Sequence, residues 1–366
     1  MSSEPSHASL TDSLVMSPTD VPFFFGRDWC SQMTCKDLLA WQPSLPKFSS
    51  DPLHLTDDEP ETILPPSKLF LLSCIPTQGE FDRIKKNMDA KKTPCWVLID
   101  NAGLDYSKFL LISQVIGVVE FINKLHRMVE WLEKEVRTAN PVFEASFMPR
   151  LSSCTWMHHF ILSGISVSIH DILPFAGTQW LNDGSLDGIL GMFQSVYEEF
   201  LFIPSYQTLC LGNQELRATN GGGWKQAEIK SGKYKKAYAI IHMKNHWGVL
   251  SIDFKRHEIA FGDSLSYPTP QETINGVRRW LIKCFDGRGA QAWNKPVRKL
   301  LVEPQIDGGS CGIYAANAVE HDVHKTLQGE TSNIWKLESA DQVLFHRIRY
   351  LALLVGVPEV TAVTVA

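Results

Sequence analysis

The chain has 366 residues, of which 44% are hydrophobic and 20% charged, with a formal net charge of −5. That supports one large globular domain or two ordinary ones, with enough apolar residues for a packed core. The slight acidity excludes a general attraction to nucleic acid or to an anionic membrane.

Residues 1–20, MSSEPSHASLTDSLVMSPTD, are rich in Ser, Pro and Thr and offer too little apolar surface to order themselves. They also lack the basic and apolar blocks of a signal peptide. Residues 42–67 hold Pro43, Pro46, Pro52, Pro60, Pro65 and Pro66 with an acidic cluster at Asp57, Asp58, Glu59 and Glu61, which is linker composition. Between the two, WCSQMTCKDLLAW predicts one short helix. Residues 1–67 are therefore expected to be a largely disordered or linker segment.

The pattern tightens over 68–150, expected to form an α-rich or α/β N-terminal region. LFLLSC (69–74) and CWVLID (95–100) have strand length, and the charged segment from Glu80 to Lys92 reads as helix. From Tyr106 to Arg137 the apolar residues Val115, Val118, Val119, Ile122, Leu125, Val129 and Leu132 follow helical spacing. The run 109–122 is interrupted by Ser113, Gln114 and Glu120, and the tail from Leu351 by Pro358 and Glu359, so neither is expected to span a membrane. No chemistry is evident in this half. His158 and His159 are adjacent and point different ways, which suits a core or surface role better than a ligand pair.

Residues 151–366 are expected to form one domain. ISVSIHDIL reads as a strand leading to a turn at Gly177, and 180–201 as a helix capped by Asn182 or Asp183. A polar, Gly-rich loop follows at 212–226. Strands are expected at 235–243, 247–254, 257–263 and 297–303, and helices at 271–285, 311–327 and 341–355. The six lysines between Lys225 and Lys244 suit a solvated strand edge.

The eight cysteines, at 30, 35, 74, 95, 154, 210, 284 and 311, are scattered. Cys30 and Cys35 come nearest to a pair, but no second Cys/His pair follows at zinc-site spacing, so no metal site is expected. Buried thiols in a reducing compartment are the expectation, in a soluble intracellular protein of the nucleus or cytoplasm.

Three pieces carry chemistry. Cys311 follows a Gly-Gly turn in GGSCGIYAANAVE and opens a predicted helix, where partial positive charge favours thiolate over thiol. In NHWGVLSIDFKRHEIAFGDSL, a hairpin turn at Lys255–Arg256 would pair Phe254 with His257 and set Asp263 opposite Gly248. His246 then lies two residues away on the same face, a diagonal separation of ~7–8 Å that a carboxylate and an imidazole can bridge. Such an Asp fixes the imidazole tautomer and stabilises the imidazolium. Gln305, six residues before Cys311, brings an uncharged amide donor suited to an oxyanion. Each piece alone has an ordinary structural explanation; what counts is their arrival in order in strand, strand, loop and helix.

With these motifs, residues 165 to about 330 resemble the ubiquitin-like-protein proteases, the SUMO (sentrin)-specific cysteine proteases, whose fold is similar to that of the adenovirus proteinase. The matching motifs are W-L-N-D at Trp180–Asp183, H-W at His246–Trp247, D-S-L at Asp263–Leu265, and Q-x5-C-G from Gln305 to Gly312. The resemblance implies an α+β, papain-like or adenovirus-proteinase-like core, with a central mixed sheet and the nucleophile helix. It makes Cys311 the nucleophile, His246 the base, Asp263 its partner and Gln305 the oxyanion donor. Trp180 and Trp247 match the walls of a tunnel that passes only a Gly-Gly C-terminus, and Asp183 a residue that helps hold the modifier. The implied partner is SUMO or another ubiquitin-like modifier with its conjugates, and no metal or organic cofactor is implied. One departure is that relatives commonly carry Asp directly before the nucleophile, where this chain has Ser310. An acyltransferase using the same triad and a non-catalytic module that binds a ubiquitin-like fold are the alternative functions.

Overall fold

The computed structural model describes residues 33–357, apart from 42–45, 50, 64–68, 70, 71, 73, 92–94, 100, 101, 163, 206, 209–224, 286, 288, 289 and 330–335. The expected disorder of 1–20 and the Gly-rich loop up to 224 lie outside the described residues. The chain divides into two compact units, Met1–His126 with Leu151–Met157, and Arg127–Arg150 with His158–Ala366.

In the first unit, helix α1 (Cys35–Trp41) starts where the Thr34 hydroxyl accepts the Asp37 N–H and the Asp37 carboxylate accepts the Thr34 N–H in return. Strand β1 (Lys47–Ser49) pairs in parallel with β3 (Cys74–Pro76), and β2 (His54–Thr56) pairs antiparallel with β4 (Trp96–Ile99), which pairs with β5 (Ala102–Leu104). β1 and β2 fall inside the Pro-rich stretch read as linker. Each has three residues, and their partners lie far along the chain, so local composition gave no sign of them. Helix α2 (Gln78–Ala90) is capped by Thr77 and buries Phe81, Ile84 and Met88 along one face. Phe81 stacks on Phe109 of helix α3 (Tyr106–Trp131), with ring centroids 4.7 Å apart. The expected apolar stripe of α3 is buried at Val115, Val118, Val119, Ile122 and Leu125. The helical stretch Tyr106–Ala139 has the length and composition to cross a membrane, but half of its most apolar window is buried as core.

In the second unit, helix α4 (Pro141–Ser153) stacks Phe143 on Phe147 and sets Phe147 against Phe160. Phe160 lies in the hairpin of β6 (His159–Leu162) and β7 (Ile165–Ser168). Ser168 and Asp171 form a capping box that opens the short helix α5 (Ile169–Ile172). Helix α6 (Asp183–Val196) is capped by Asn182, whose side chain accepts the Ser185 N–H at 2.8 Å. It ends five residues earlier than expected, because FLFI (Phe200–Ile203) is strand β8, buried along its whole length. A short, wholly apolar run has no periodicity to separate strand from helix.

The central sheet runs β12-β11-β10-β9-β8. It comprises β8, β9 (Lys236–His242), β10 (Trp247–Asp253), β11 (Glu258–Gly262) and β12 (Arg298–Lys299). Both outer pairings are parallel and the inner ones antiparallel, which makes the sheet mixed. The hairpin has the expected register, with Val249 opposite Gly262 and Leu250 opposite Phe261. Its turn spans Phe254–His257 rather than two residues, with His257 at φ +53° and the Arg256 N–H on the Asp253 carboxylate. The strand expected over 297–303 is regular only at Arg298–Lys299. Beyond it the chain still follows β11, as Leu300 N–H bonds the Phe261 carbonyl and Gln305 N–H the Ser264 carbonyl.

Helix α7 (Gln271–Cys284) lays Ile274, Val277, Trp280 and Leu281 on the sheet face formed by Ala237, Ala239, Ile241, Leu250 and Ile252. The residues between these point to the other face, where the Tyr238 hydroxyl bonds Asp322 of helix α8 (Cys311–Gln328). The sheet is thus enclosed by α7 on one side and α8 on the other, and α8 in turn packs on α6 and on α9 (Ala340–Val355). This is the α+β arrangement expected from the sequence. Each core side chain so buried contributes ~1.5–3 kcal/mol.

Glu320 ties α8 to α9: it is 3% exposed, takes both arms of the Arg349 guanidinium and accepts the Tyr350 hydroxyl at 3.1 Å. Removing one partner of a buried ion pair leaves the other desolvated and unpaired, a loss of about 3–5 kcal/mol. Glu320→Ala should lower unfolding stability by about that much in a denaturant titration, and Glu320→Gln by clearly less. A loss below ~1 kcal/mol for the alanine variant would contradict the buried pairing.

Candidate active site

Strands β9 and β10 are joined by a tight turn in which Met243 N–H bonds the His246 carbonyl and Lys244 adopts φ +56°. His246 leaves this turn directly before β10, and Asp263 directly follows β11, so the hairpin register sets them side by side. The imidazole bonds the Asp263 Oδ1 through Nε2. Asp263 also accepts the backbone N–H of Leu265 at 2.9 Å and that of Tyr267, and the Tyr267 ring lies 5.0 Å from the imidazole. With the carboxylate an acceptor only, Nε2 carries the proton and Nδ1 is left as the basic nitrogen. Both side chains are 2% exposed, so the pairing is screened from water.

Cys311 is the first residue of α8 and is buried. The preceding turn is organised by Asp307, whose carboxylate accepts Gly309 N–H, Ser310 N–H and the Ser310 hydroxyl, at 3.0, 2.8 and 2.6 Å. Burial pushes the Asp307 carboxyl upward, but these three bonds together with the Arg347 charge outweigh it and hold the group below the usual carboxylate range. Gly309 has to be glycine: a Cβ there would lie 1.7 Å from the Thr178 carbonyl oxygen and 3.1 Å from the Trp180 ring.

The Cys311 thiol is pushed up by burial, while the backbone N–H groups of Trp247, Gly312 and Cys311 itself, with the Arg347 charge, pull it down. Burial prevails. The N–H groups at the helix start favour thiolate as expected, but the desolvation of the sulfur exceeds what they return.

A cleft of about 860 Å³ is lined by Trp180, Asp183, His246, Trp247 and Cys311, together with His242 and Glu272. Trp180 is half exposed and donates its indole N–H to the Gly308 carbonyl at 2.7 Å. Trp247 is buried and donates its own to the Leu181 carbonyl at 2.8 Å. Both rings are thus pinned to backbone. Since Asn182 does the capping, the Asp183 carboxylate remains available to the cleft.

Gln305 is placed differently from a free donor. Its amide nitrogen donates to the Asp307 carbonyl at 2.6 Å and to the Asp307 carboxylate at 3.3 Å, and its amide oxygen accepts the Ser264 hydroxyl. In this state it braces the segment after Asp263 against the turn before Cys311. Among the described residues no group of three or more His, Cys, Asp or Glu could hold a metal.

Three residues that organise the site were not singled out from the sequence. Asp171 accepts the Asn182 amide and lies so close to Gly184 that a Cβ there would sit 2.2 Å from its oxygen. Asp307 had a legible signal, since an Asp before Gly-Gly-Ser favours a side-chain-to-backbone turn. Arg347 lies on the apolar stripe of α9 with Val343, Leu351 and Leu354, all buried, and a charge at a core-facing position is the signal that was available.

Residues 217–350 match the sequence model described as "Ulp1 protease family, C-terminal catalytic domain", a span that contains His246, Asp263, Gln305 and Cys311. No curated protein matches the chain. Among solved structures, the SUMO protease Ulp1 with its catalytic cysteine oxidised to a sulfenic acid is 15% identical, covering 60% of this chain and 94% of that one at a TM-score of 0.47. The C-terminal Ulp1 protease domain in complex with Smt3, the yeast ortholog of SUMO, is 19% identical, covering 59% and 95% at 0.46. The Ulp1-like SUMO protease catalytic domain of Chaetomium thermophilum is 15% identical, covering 54% and 81% at 0.37. The sequence match carries more than these scores: within residues 217–350 the chain is similar to the catalytic domain of the Ulp1 protease family.

Proposed function

We propose that Cys311, His246 and Asp263 form the catalytic triad of a peptidase acting on SUMO or a related ubiquitin-like modifier, cutting after its Gly-Gly C-terminus in maturation or deconjugation. The observation that supports this is that Cys311 and His246 line one cleft with Trp180 and Trp247, whose indole N–H groups are held by backbone carbonyls. His246 Nδ1 takes the Cys311 proton, the sulfur bonds the scissile carbonyl carbon, and the imidazolium returns the proton to the departing amine as the C–N bond breaks. Water, deprotonated by the same imidazole, then releases the acyl group. The oxyanion is met by the backbone N–H of Cys311 and by the Gln305 amide once it leaves Asp307.

Trp180 and Trp247 wall the approach and Asp183 holds the modifier's surface. The catalytic domain is taken as 151–366, following a 68–150 region and a 1–67 segment of separate role, in an enzyme of the nucleus or cytoplasm. Neither nucleic acid nor membrane is part of this reading.

Triad members act as a unit, so His246→Ala should lower kcat/KM about as far as Cys311→Ala, by ~10⁴-fold or more. Asp263→Asn should lose less, because an amide can still orient the ring. Kinetics on one modifier fusion would show the ranking, and an Asp263→Asn enzyme slower than His246→Ala would contradict it.

A slot that passes only glycine should reject an added methyl group by steric clash, a larger penalty than the loss of one from a pocket. Matched fusions ending Gly-Gly, Gly-Ala and Ala-Gly should be cut in strong preference for the first. Trp247→Ala should lower total activity while raising the Gly-Ala to Gly-Gly ratio. Equal rates on all three by the wild-type enzyme would end the modifier reading even with Cys311 catalytic.

A further inference from the structure

Beneath the nucleophile's turn lies a cation that the triad does not use. Arg347 of α9 is 1% exposed. Its guanidinium donates to the carbonyls of Pro174 and Phe175 at 3.3 Å each and of Gln179 at 2.8 Å, and to the Ser310 hydroxyl at 2.9 Å. Its Nε is buried with no hydrogen-bond partner. Among the described residues no carboxylate comes within ion-pair distance of it; Asp307 is reached only through Ser310.

A buried charge without a paired counter-charge is a poor structural device, since a hydrophobic side chain of similar volume would fill the space without the desolvation penalty. Burial indeed lowers Arg347 to about 10, against the pull of Asp307, Cys311 and Glu135. The arrangement makes sense where an anion is created nearby during the reaction, and the residue after Ser310 is Cys311.

Resting on the triad reading above, we infer that Arg347 is a positioning residue for the thiol: it fixes the Gly309–Ser310–Cys311 turn to the 174–179 segment beside Trp180, and its charge favours the Cys311 thiolate. Two consequences follow. The guanidinium holds the sulfur and the first tryptophan wall in one rigid frame, because the same fork grips Gln179, next to Trp180, and Ser310, next to Cys311. It also offsets part of the desolvation that keeps the thiol protonated. Asp307 sets the Ser310 hydroxyl so that its oxygen faces the guanidinium.

The test uses the full chain with Arg347→Met, Arg347→Lys and Ser310→Ala, and reads two quantities. The first is the pH dependence of iodoacetamide alkylation at Cys311, followed on its own peptide by mass spectrometry, which requires no modifier. The second is kcat and KM on a Gly-Gly fusion. The other charged or titratable groups around the sulfur are His246 with Asp263 behind it, Asp307, and His242, Asp183 and Glu272 of the cleft. All are retained in every variant, so a shift reports Arg347.

Arg347→Met should raise the alkylation midpoint by about one pH unit, roughly tenfold less thiolate at a fixed pH below it. It should lower kcat by tenfold or more with KM within about twofold. Arg347→Lys should keep most of the midpoint yet recover little kcat, since an ammonium cannot reproduce the fork. A cooperatively folded Arg347→Met enzyme with wild-type midpoint and kcat would overturn the inference. If that variant does not fold, Ser310→Ala decides: it removes one hydroxyl and adds no volume. A several-fold fall in kcat at constant KM is then expected, and an unchanged kcat overturns the inference. A wild-type enzyme that cuts no fusion would defeat the substrate reading instead, with the alkylation midpoints still judging Arg347.

Discussion

The bond between the His246 imidazole and the Asp263 carboxylate closes the end of the β10–β11 hairpin, and the chemistry of the site depends on its direction. Because Asp263 accepts from Nε2 and from two backbone N–H groups at once, the ring has one orientation and presents Nδ1 as a base. In the proposed mechanism, that fixes where the nucleophile has to come from. The sheet carries α8 on the face opposite α7, and the first residue of α8 is the cysteine that shares the cleft with His246. A one-residue slip in the register would turn Asp263 to the opposite face of the sheet and dissolve the pair. The apolar packing of Leu250, Ile252, Ile259 and Phe261 against α7 is therefore also what keeps the site in register.

The second constraint is the desolvation of the sulfur. A helix N-terminus and three backbone N–H groups surround Cys311, yet burial still holds the thiol above its ordinary range. In the proposed mechanism, removal of the proton falls to His246, and the stabilisation of the resulting charge to fixed dipoles and to the Arg347 cation. The turn before α8 serves that arrangement: Asp307 gathers its N–H groups, Gly309 lets it pass against the Thr178 carbonyl, and Gln305 braces it to Ser264. These contacts hold the turn against the segment that follows Asp263.

Much of this was legible in the sequence where the signal is local. The hairpin register follows from turn position and alternation, and sets His246 beside Asp263. Helices α7, α8 and α9 showed themselves by periodicity, and their expected ends lie within a residue of those found. What escaped depends on partners distant in the chain. The strand at Phe200–Ile203 has no alternation because both its faces are covered, and β1 and β2 owe their existence to strands downstream. The free amide expected of Gln305 is engaged by Asp307, two residues away, a competition that residue type alone does not reveal. Arg347 is separated from Ser310 by 37 positions, so its role needed the fold.

The central claim is that Cys311 is a nucleophile for the carbonyl at a modifier's Gly-Gly terminus, and covalent capture tests it most directly. SUMO carrying a C-terminal electrophile in place of its last carboxylate would be incubated with the full chain, and the product mapped by mass spectrometry of its peptides. The account predicts a stoichiometric adduct on the peptide bearing Cys311, absent from Cys311→Ala and strongly slowed in His246→Ala. Tight association without an adduct would instead mark a binding module, and a chain that ignores SUMO and related modifiers alike, while acylating Lys or Ser/Thr of another protein, would mark a transferase. Either outcome would contradict the account.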